Sequence, residues 1–180
     1  MTPEEGKIKI WAILILLVVV TGIFFIKTKY EDVRCSLGNE LCENLTTLEK
    51  NNFSFTYPKE TGTEFISFFD WPPIIVTLEE TYSCENAGSI DESSGKTEER
   101  RINGKNYCIT EIVGAALGSM YTQYAYLTEK SGKLFSIVFS LRKPNCGNYD
   151  ETKKAECEKR QNEYNIDKVV DFIVTSIEFK

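Results

Sequence analysis

Apolar and polar positions divide this chain into three regimes. Residues 10 to 26, IWAILILLVVVTGIFFI, are apolar on every side and carry no charge. From residue 53 the apolar positions recur mainly every second residue, and after residue 165 every third and fourth. A helix needs about 17 to 25 apolar residues to cross the hydrocarbon core, and the first regime meets the lower bound. Lys7 and Lys9 precede it, Lys27 and Lys29 follow it, and Trp11 stands where an interfacial aromatic would; such lysines snorkel to the two surfaces. A cleaved signal peptide requires small residues of the A-x-A type after the apolar run. Phe24 to Tyr30 provides none, and Cys35 lies past a charged stretch, too far for a lipid-modified cysteine. A buried core helix is the alternative, and the all-round apolar face at the extreme N-terminus argues against it. The expectation is a tail at 1–9, an uncleaved transmembrane anchor at 10–26, a charged stalk at 27–36 and a domain at 37–180.

Within that domain, Leu41, Leu45 and Leu48 in LGNELCENLTTLEKNN follow i, i+4, i+7 and predict a helix. FSFTYP alternates Phe53, Phe55 and Tyr57 and predicts a strand ended by Pro58. Two apolar runs in TEFISFFDWPPIIVTLEE are broken by Pro72 and Pro73, and alternating Ile74, Val76 and Leu78 predict a strand beginning at the prolines. Residues 84–99 have no apolar period and predict an exposed loop. Asn103-Gly104 predicts a tight hairpin turn, with Tyr107, Ile109, Glu111 and Val113 alternating after it. GAALGS interrupts, then MYTQYAYLT resumes with Tyr124 and Tyr126 on one face. A second turn is expected at Gly132. LFSIVFSL places Phe135, Ile137, Phe139 and Leu141 on a core face and Ser136, Val138 and Ser140 on a half-polar one, as in an antiparallel sheet covered on one side. Asp150 is an expected N-cap for a charged, exposed helix. Ile166, Val169, Val170, Ile173 and Ile177 predict a helix that docks on the sheet, followed by a short strand at Ile177 to Phe179. Strand runs with helices at the ends read as α+β: a transmembrane helix, then a mainly antiparallel sheet with helices packed on it.

Composition narrows the function. The net charge is −6 and the pI near 4.9, so the phosphates of nucleic acid would be repelled. Histidine is absent, which removes the commonest general base and zinc ligand and lowers the prospect of an enzyme. The six cysteines, Cys35, Cys42, Cys84, Cys108, Cys146 and Cys157, all follow the apolar segment. An even set without a C-x-x-C pair points to disulfides and an oxidising compartment rather than to zinc. Local pairing gives Cys35–Cys42, Cys84–Cys108 and Cys146–Cys157, with free buried cysteines as the alternative. Basic residues flank the anchor about equally, so the cysteines rather than the flanking charge orient it, with the C-terminal domain extracytoplasmic.

GSIDESSGKT, residues 88–97, ends like a phosphate-binding loop. G-x-x-x-x-G-K-[ST] requires glycine at 90, where Ile90 stands, and neither a buried strand before nor an apolar helix after is indicated. No nucleotide is expected. Gly114 and Gly118 form a second glycine cluster that would let a ligand or a neighbouring backbone approach closely. Tyr121, Tyr124 and Tyr126 offer an aromatic surface for a glycan or peptide, or else half-buried sheet faces. Glu111 is the one acid inside an apolar strand pattern, read as a weak hydrolytic candidate or an edge-strand charge. Asn44-Leu45-Thr46 and Asn52-Phe53-Ser54 match glycosylation acceptors, which matter only in a eukaryotic host.

FSFTYPKE, the hairpins with INGK and SGKLFSIVFS, and the closing IDKVVDFIVTSIEF resemble the PsbP-like fold family over about residues 53–180. The six cysteines and the anchor are not general features of that family. The resemblance implies a fold and a bias toward accessory or binding roles; it implies no catalytic residues. The expected protein is a single-pass membrane protein of bacterial-envelope type, with an extracytoplasmic binding or accessory module, no cofactor, no metal, no catalytic activity, and an envelope protein as possible partner. The alternatives are a small carboxylate-dependent hydrolase near Glu111 and an accessory subunit of a membrane complex.

Overall fold

The second and third regimes of the pattern account for most of what is seen in a computed structural model of the chain, which describes residues 44–85, 90–91 and 95–180. The expected anchor, the stalk, Leu41, Cys35 and Cys42 lie outside the described residues. Among those described, no helix is long and apolar enough to cross a membrane.

The architecture is mixed α+β with antiparallel sheets. A small sheet joins β1 (Leu45–Glu49), β2 (Phe53–Pro58) and β10 (Glu178–Phe179) in the order β1-β2-β10. A seven-stranded sheet comprises β3 (Ser67–Phe68), β4 (Ile74–Leu78), β5 (Ile90–Asp91), β6 (Gly95–Ile102), β7 (Lys105–Ala116), β8 (Ser119–Lys130) and β9 (Lys133–Pro144). Its order is β3-β9-β8-β7-β6-β5, with β4 also pairing β9. A single 3-10 turn at Cys146–Asn148 leads into α1 (Glu151–Glu163) and then α2 (Ile166–Ser176).

The helices follow from their sequences. Asp150 caps α1 by accepting a hydrogen bond from the Lys153 amide at 3.0 Å. Asn145 and Asn165 cap the 3-10 turn and α2 in the same way. Only Cys157 of α1 is buried, whereas residues 169–174 of α2 are buried without a break. Burial all round places α2 between the two sheets. The Ser176 hydroxyl accepts from the Thr56 amide and lies within bonding reach of its carbonyl on β2, while α2 carboxylates meet β6, β7 and β8.

Each face of the large sheet follows the period of two. The helix face carries Phe135, Ile137, Phe139 and Leu141 from β9, Tyr124 and Tyr126 from β8, and Tyr107 and Ile109 from β7, all buried. Phe53 and Phe55 of β2 and Trp71 extend this aromatic core, with Phe53 against Phe135 at 5.8 Å and Trp71 against Phe139 at 6.0 Å. On β4 the buried residue is Ile75; Ile74 and Val76 point away and are exposed.

Four expectations are corrected. The helix expected around Leu45 and Leu48 is strand β1, because β2 is a hairpin partner along its whole length and Thr46 and Thr47 suit a strand. Within the expected loop at 84–99, residues 90–91 form strand β5 and residues 95–99 are part of strand β6; the helix-face Arg100 of β6 finds partners on β7 and α2. GAALGS is not an interruption of strand structure, since β7 continues to Ala116, β8 starts at Ser119, and only Leu117 and Gly118 form the turn. Glu111 is not an edge-strand charge, because β7 lies between β6 and β8.

Candidate functional site

The densest polar cluster lies between α2 and the large sheet. Asp167, Asp171 and Thr175 stand at i, i+4, i+8 and form one stripe on α2. Arg100 on β6 reaches up from the sheet and donates through Nη1 to both oxygens of Asp167, at 2.8 and 2.6 Å. Its Nη2 donates to Glu98 and lies 3.8 Å from Glu111. The Tyr126 hydroxyl donates to Asp167 Oδ1 at 2.7 Å. Asp171 takes three donors: Asn103 Nδ2 at 2.8 Å, Lys105 Nζ at 2.6 Å and the Tyr107 hydroxyl at 2.7 Å. Lys105 also donates to Thr175 at 2.7 Å.

Burial pushes the Tyr124 phenol up to about 12, with the neighbouring Glu111 charge acting in the same direction. Tyr107 and Tyr126 are pushed further above the ordinary value by burial, and by the aspartates that accept their protons' hydrogen bonds. Glu98 is held below the usual carboxylate value by its hydrogen bonds from Arg100 and Lys96. Asp167 and Asp171 are thus both engaged by cations and phenols, while Glu111 has only the 3.8 Å approach of Arg100. Among the described residues no buried side-chain polar atom lacks a partner. Such an arrangement locks a helix to a sheet.

The six residues singled out in the sequence do not form one surface. Glu111, Tyr124 and Tyr126 share the helix face, where Tyr124 and Tyr126 are buried. Gly114 and Tyr121 are cross-strand partners on the opposite face, where Tyr121 meets Phe69 at 5.9 Å. Gly118 belongs to the β7–β8 turn, its carbonyl accepting from the Asn145 amide at 2.8 Å and the Asn148 amide group at 3.2 Å. Gly95, Lys96 and Thr97 lie on strand β6, where a side chain at Gly95 would collide with the Glu111 carbonyl.

Two disulfides are present among the described residues. Cys84–Cys108 spans 5.4 Å between Cα atoms and ties the segment after β4 to β7 on the face away from α2. Cys146–Cys157 spans 5.7 Å and ties α1 to the turn before it. The second packs with Phe65 and Tyr149, and Gln161 of α1 donates to the Pro144 carbonyl at 2.9 Å.

Beside that second disulfide, the β7–β8 hairpin projects beyond the end of β6. Its end is apolar and exposed: Leu117 is 96% accessible, Val113 55% and Met120 43%. A shallow cleft of about 680 Å³ runs from this tip past Pro144 and Cys146 to Glu158 and Gln161 of α1. Among the described residues no group of acidic or cysteine side chains could hold a metal ion. No protein-family model matches the chain, and no curated protein matches it significantly in sequence.

Sequence reasoning passed over Arg100, Lys105, Asp167 and Asp171. Asp167, Asp171 and Thr175 did carry a signal: a polar stripe at helical spacing on an otherwise apolar helix.

Proposed function

We propose that the protein is a single-pass membrane protein whose extracytoplasmic α+β domain, PsbP-like in fold, is a non-enzymatic binding or accessory module. The observation that carries the reading is the pair of disulfides inside the domain, following an uncharged apolar segment at residues 10–26. Structural disulfides persist in oxidising compartments and are rare in the cytosol. The F-x-F-x-Y-P strand and a last helix running into a two-residue strand favour the PsbP-like assignment.

A non-catalytic role is favoured by the use made of the acidic residues. A carboxylate hydrolase near Glu111 would draw on Glu98, Glu111 and Asp167, and all three surround Arg100. The role of accessory subunit in a membrane complex is favoured by one observation, the exposed apolar hairpin tip.

The test is labelling of intact cells with a membrane-impermeant maleimide, with and without prior reduction, read by mass. Labelling of Cys84, Cys108, Cys146 and Cys157 only after reduction is the expected result. Labelling that needs lysis but no reduction would put the domain in the cytosol and overturn the proposal.

A further inference from the structure

The two disulfides differ in how they are held. Cys146–Cys157 lies in a closed cluster with Phe65 and Tyr149, and Gln161 rests against it with Nε2 3.6 Å from Cys157 Sγ. Its two cysteines are 8% and 0% exposed. Cys84–Cys108 has only one end of that kind. Cys108, on the central strand β7, is 7% exposed, whereas Cys84 is half-buried between exposed Ser83 and Glu85.

The topology explains the difference. Leu78 ends β4 at one edge of the large sheet and Ile90 begins β5 at the other, five strand spacings or about 24 Å away. The connection passes over the face opposite α2, since Tyr107 and Ile109 face α2 and Cys108 between them points the other way. Residues 79–85 are the described part of this crossing. Among them two side chains are fastened to the sheet: Cys84 to Cys108, and the Tyr82 hydroxyl, which donates to Glu99 at 3.4 Å. Glu99 is the cross-strand partner of Cys108, so both fastenings lie at one point. Among the described residues no backbone hydrogen bond ties 79–85 to a strand.

We infer that Cys84–Cys108 is a thiol-exchange site, opened in the folded domain by an external dithiol that attacks Sγ of Cys84 and frees residues 79–85, while Cys146–Cys157 stays closed. Exchange requires a thiolate to reach a disulfide sulfur, so access decides which bond reacts. The attacking thiolate bonds to Cys84 Sγ, the S–S bond breaks, and Cys108 leaves as a thiolate that takes up a proton. The second thiol of the dithiol then attacks the reductant's first sulfur and releases Cys84 as a thiol. Two electrons and two protons pass to the domain, and the dithiol is oxidised to its disulfide. Of the two fastenings, the Tyr82–Glu99 contact alone then remains. The order is one of rate in the folded chain, separate from what either loop closure contributes to stability. It does not depend on the compartment proposed above, because oxidising surroundings close the bond and a dithiol opens it.

The test uses the full chain in detergent micelles with dithiothreitol, quenched at intervals with acid and alkylated, each cysteine being read by peptide mass. Cys84 and Cys108 should become alkylated at least about tenfold faster than Cys146 and Cys157, whose sulfurs await a local opening, with tryptophan emission unchanged. Equal rates, or earlier opening of Cys146–Cys157, would overturn the inference. A change of emission in step with the opening of Cys84–Cys108 would mean that the bond opens by unfolding, and would overturn it too. Glutathione in place of the dithiol marks the sulfur attacked: the mixed disulfide should form on Cys84, and its formation on Cys108 would refute the assignment. A glutamate-specific protease reads the crossing. Cleavage after Glu80 should rise about tenfold once the bond is open, and unchanged cleavage would show that residues 79–85 are not freed. Labelling of intact cells reads the compartment and these rates read the bond, so either result can fail without the other.

Discussion

Replacing Asp171 by Ala should destabilise the domain by about 2 to 5 kcal/mol. The side chain is 9% exposed and accepts from Asn103, Lys105 and Tyr107. Lys105 is one-third exposed, so much of its lost pairing is recovered from water, leaving roughly 0 to 1 kcal/mol. Asn103, at an exposed turn, contributes about 1 kcal/mol. Tyr107 is fully buried, and its hydroxyl, left without an acceptor, costs about 1 to 3 kcal/mol. Tyr107→Phe removes the donor instead and leaves Asp171 with two others, a loss of about 1 kcal/mol. The double variant should then be more stable than the sum of the singles predicts by about 1 to 2 kcal/mol, because the orphaned hydroxyl no longer exists. Urea unfolding of the full chain in detergent micelles, followed by Trp71 fluorescence, measures all three. Strict additivity, or an Asp171→Ala loss below about 1 kcal/mol, would refute the claim that this bond clamps α2 to β7.

Further outcomes follow from the disulfides and the tyrosines. Removing Cys146–Cys157 by paired serine substitutions should cost about 2.8 kcal/mol for its sequence separation of 11, and removing Cys84–Cys108 about 3.4 kcal/mol for its separation of 24. Unfolding midpoints check the order, and a larger loss at the shorter loop would contradict it. Tyr124, with its phenol near 12, and Tyr107 and Tyr126 above that, hold their protons more tightly folded than unfolded. Their contribution is complete below about pH 10 and is lost as pH rises from there through 12. At about pH 11 the tyrosinate absorbance of the folded chain should therefore be lower than that of the urea-unfolded chain, and equal absorbances would count against it.

The large sheet was legible in sequence wherever one face is apolar. Phe135, Ile137, Phe139 and Leu141 alternate because they all face α2, and the signal survives in the sequence unaided. β6 was hidden because its helix-face residues, Glu98 and Arg100, are charged, and their partners lie on α2 and β7. A strand whose buried face is polar has no hydrophobic period to read. β1 was misread for the opposite reason: Leu41, Leu45 and Leu48 happen to fit a helical spacing, and pairing with β2 overrides it. Arg100 and Asp167 are 67 residues apart, so their meeting depends on the packing of α2, which no local pattern specifies. The Cys84–Cys108 and Cys146–Cys157 pairs were legible because each follows the rule of nearest neighbours in sequence.

Leu117 is where local preference and the observed fold disagree most, and the disagreement can be measured. A non-glycine residue in the left-handed region costs roughly 1 kcal/mol more than one of the types that tolerate it. Asn103 shows what the same turn holds at the other pole. Leu117→Asn should therefore raise the stability of the chain in detergent by about 0.5 to 1 kcal/mol, since Leu117 is 96% exposed and has no packing to lose. A gain in stability would mean that the leucine is kept at the expense of folding, as residues at functional sites often are. A loss of stability on the same substitution would mean that Leu117 packs on a neighbour in the folded chain, and packing would then explain its place in the turn.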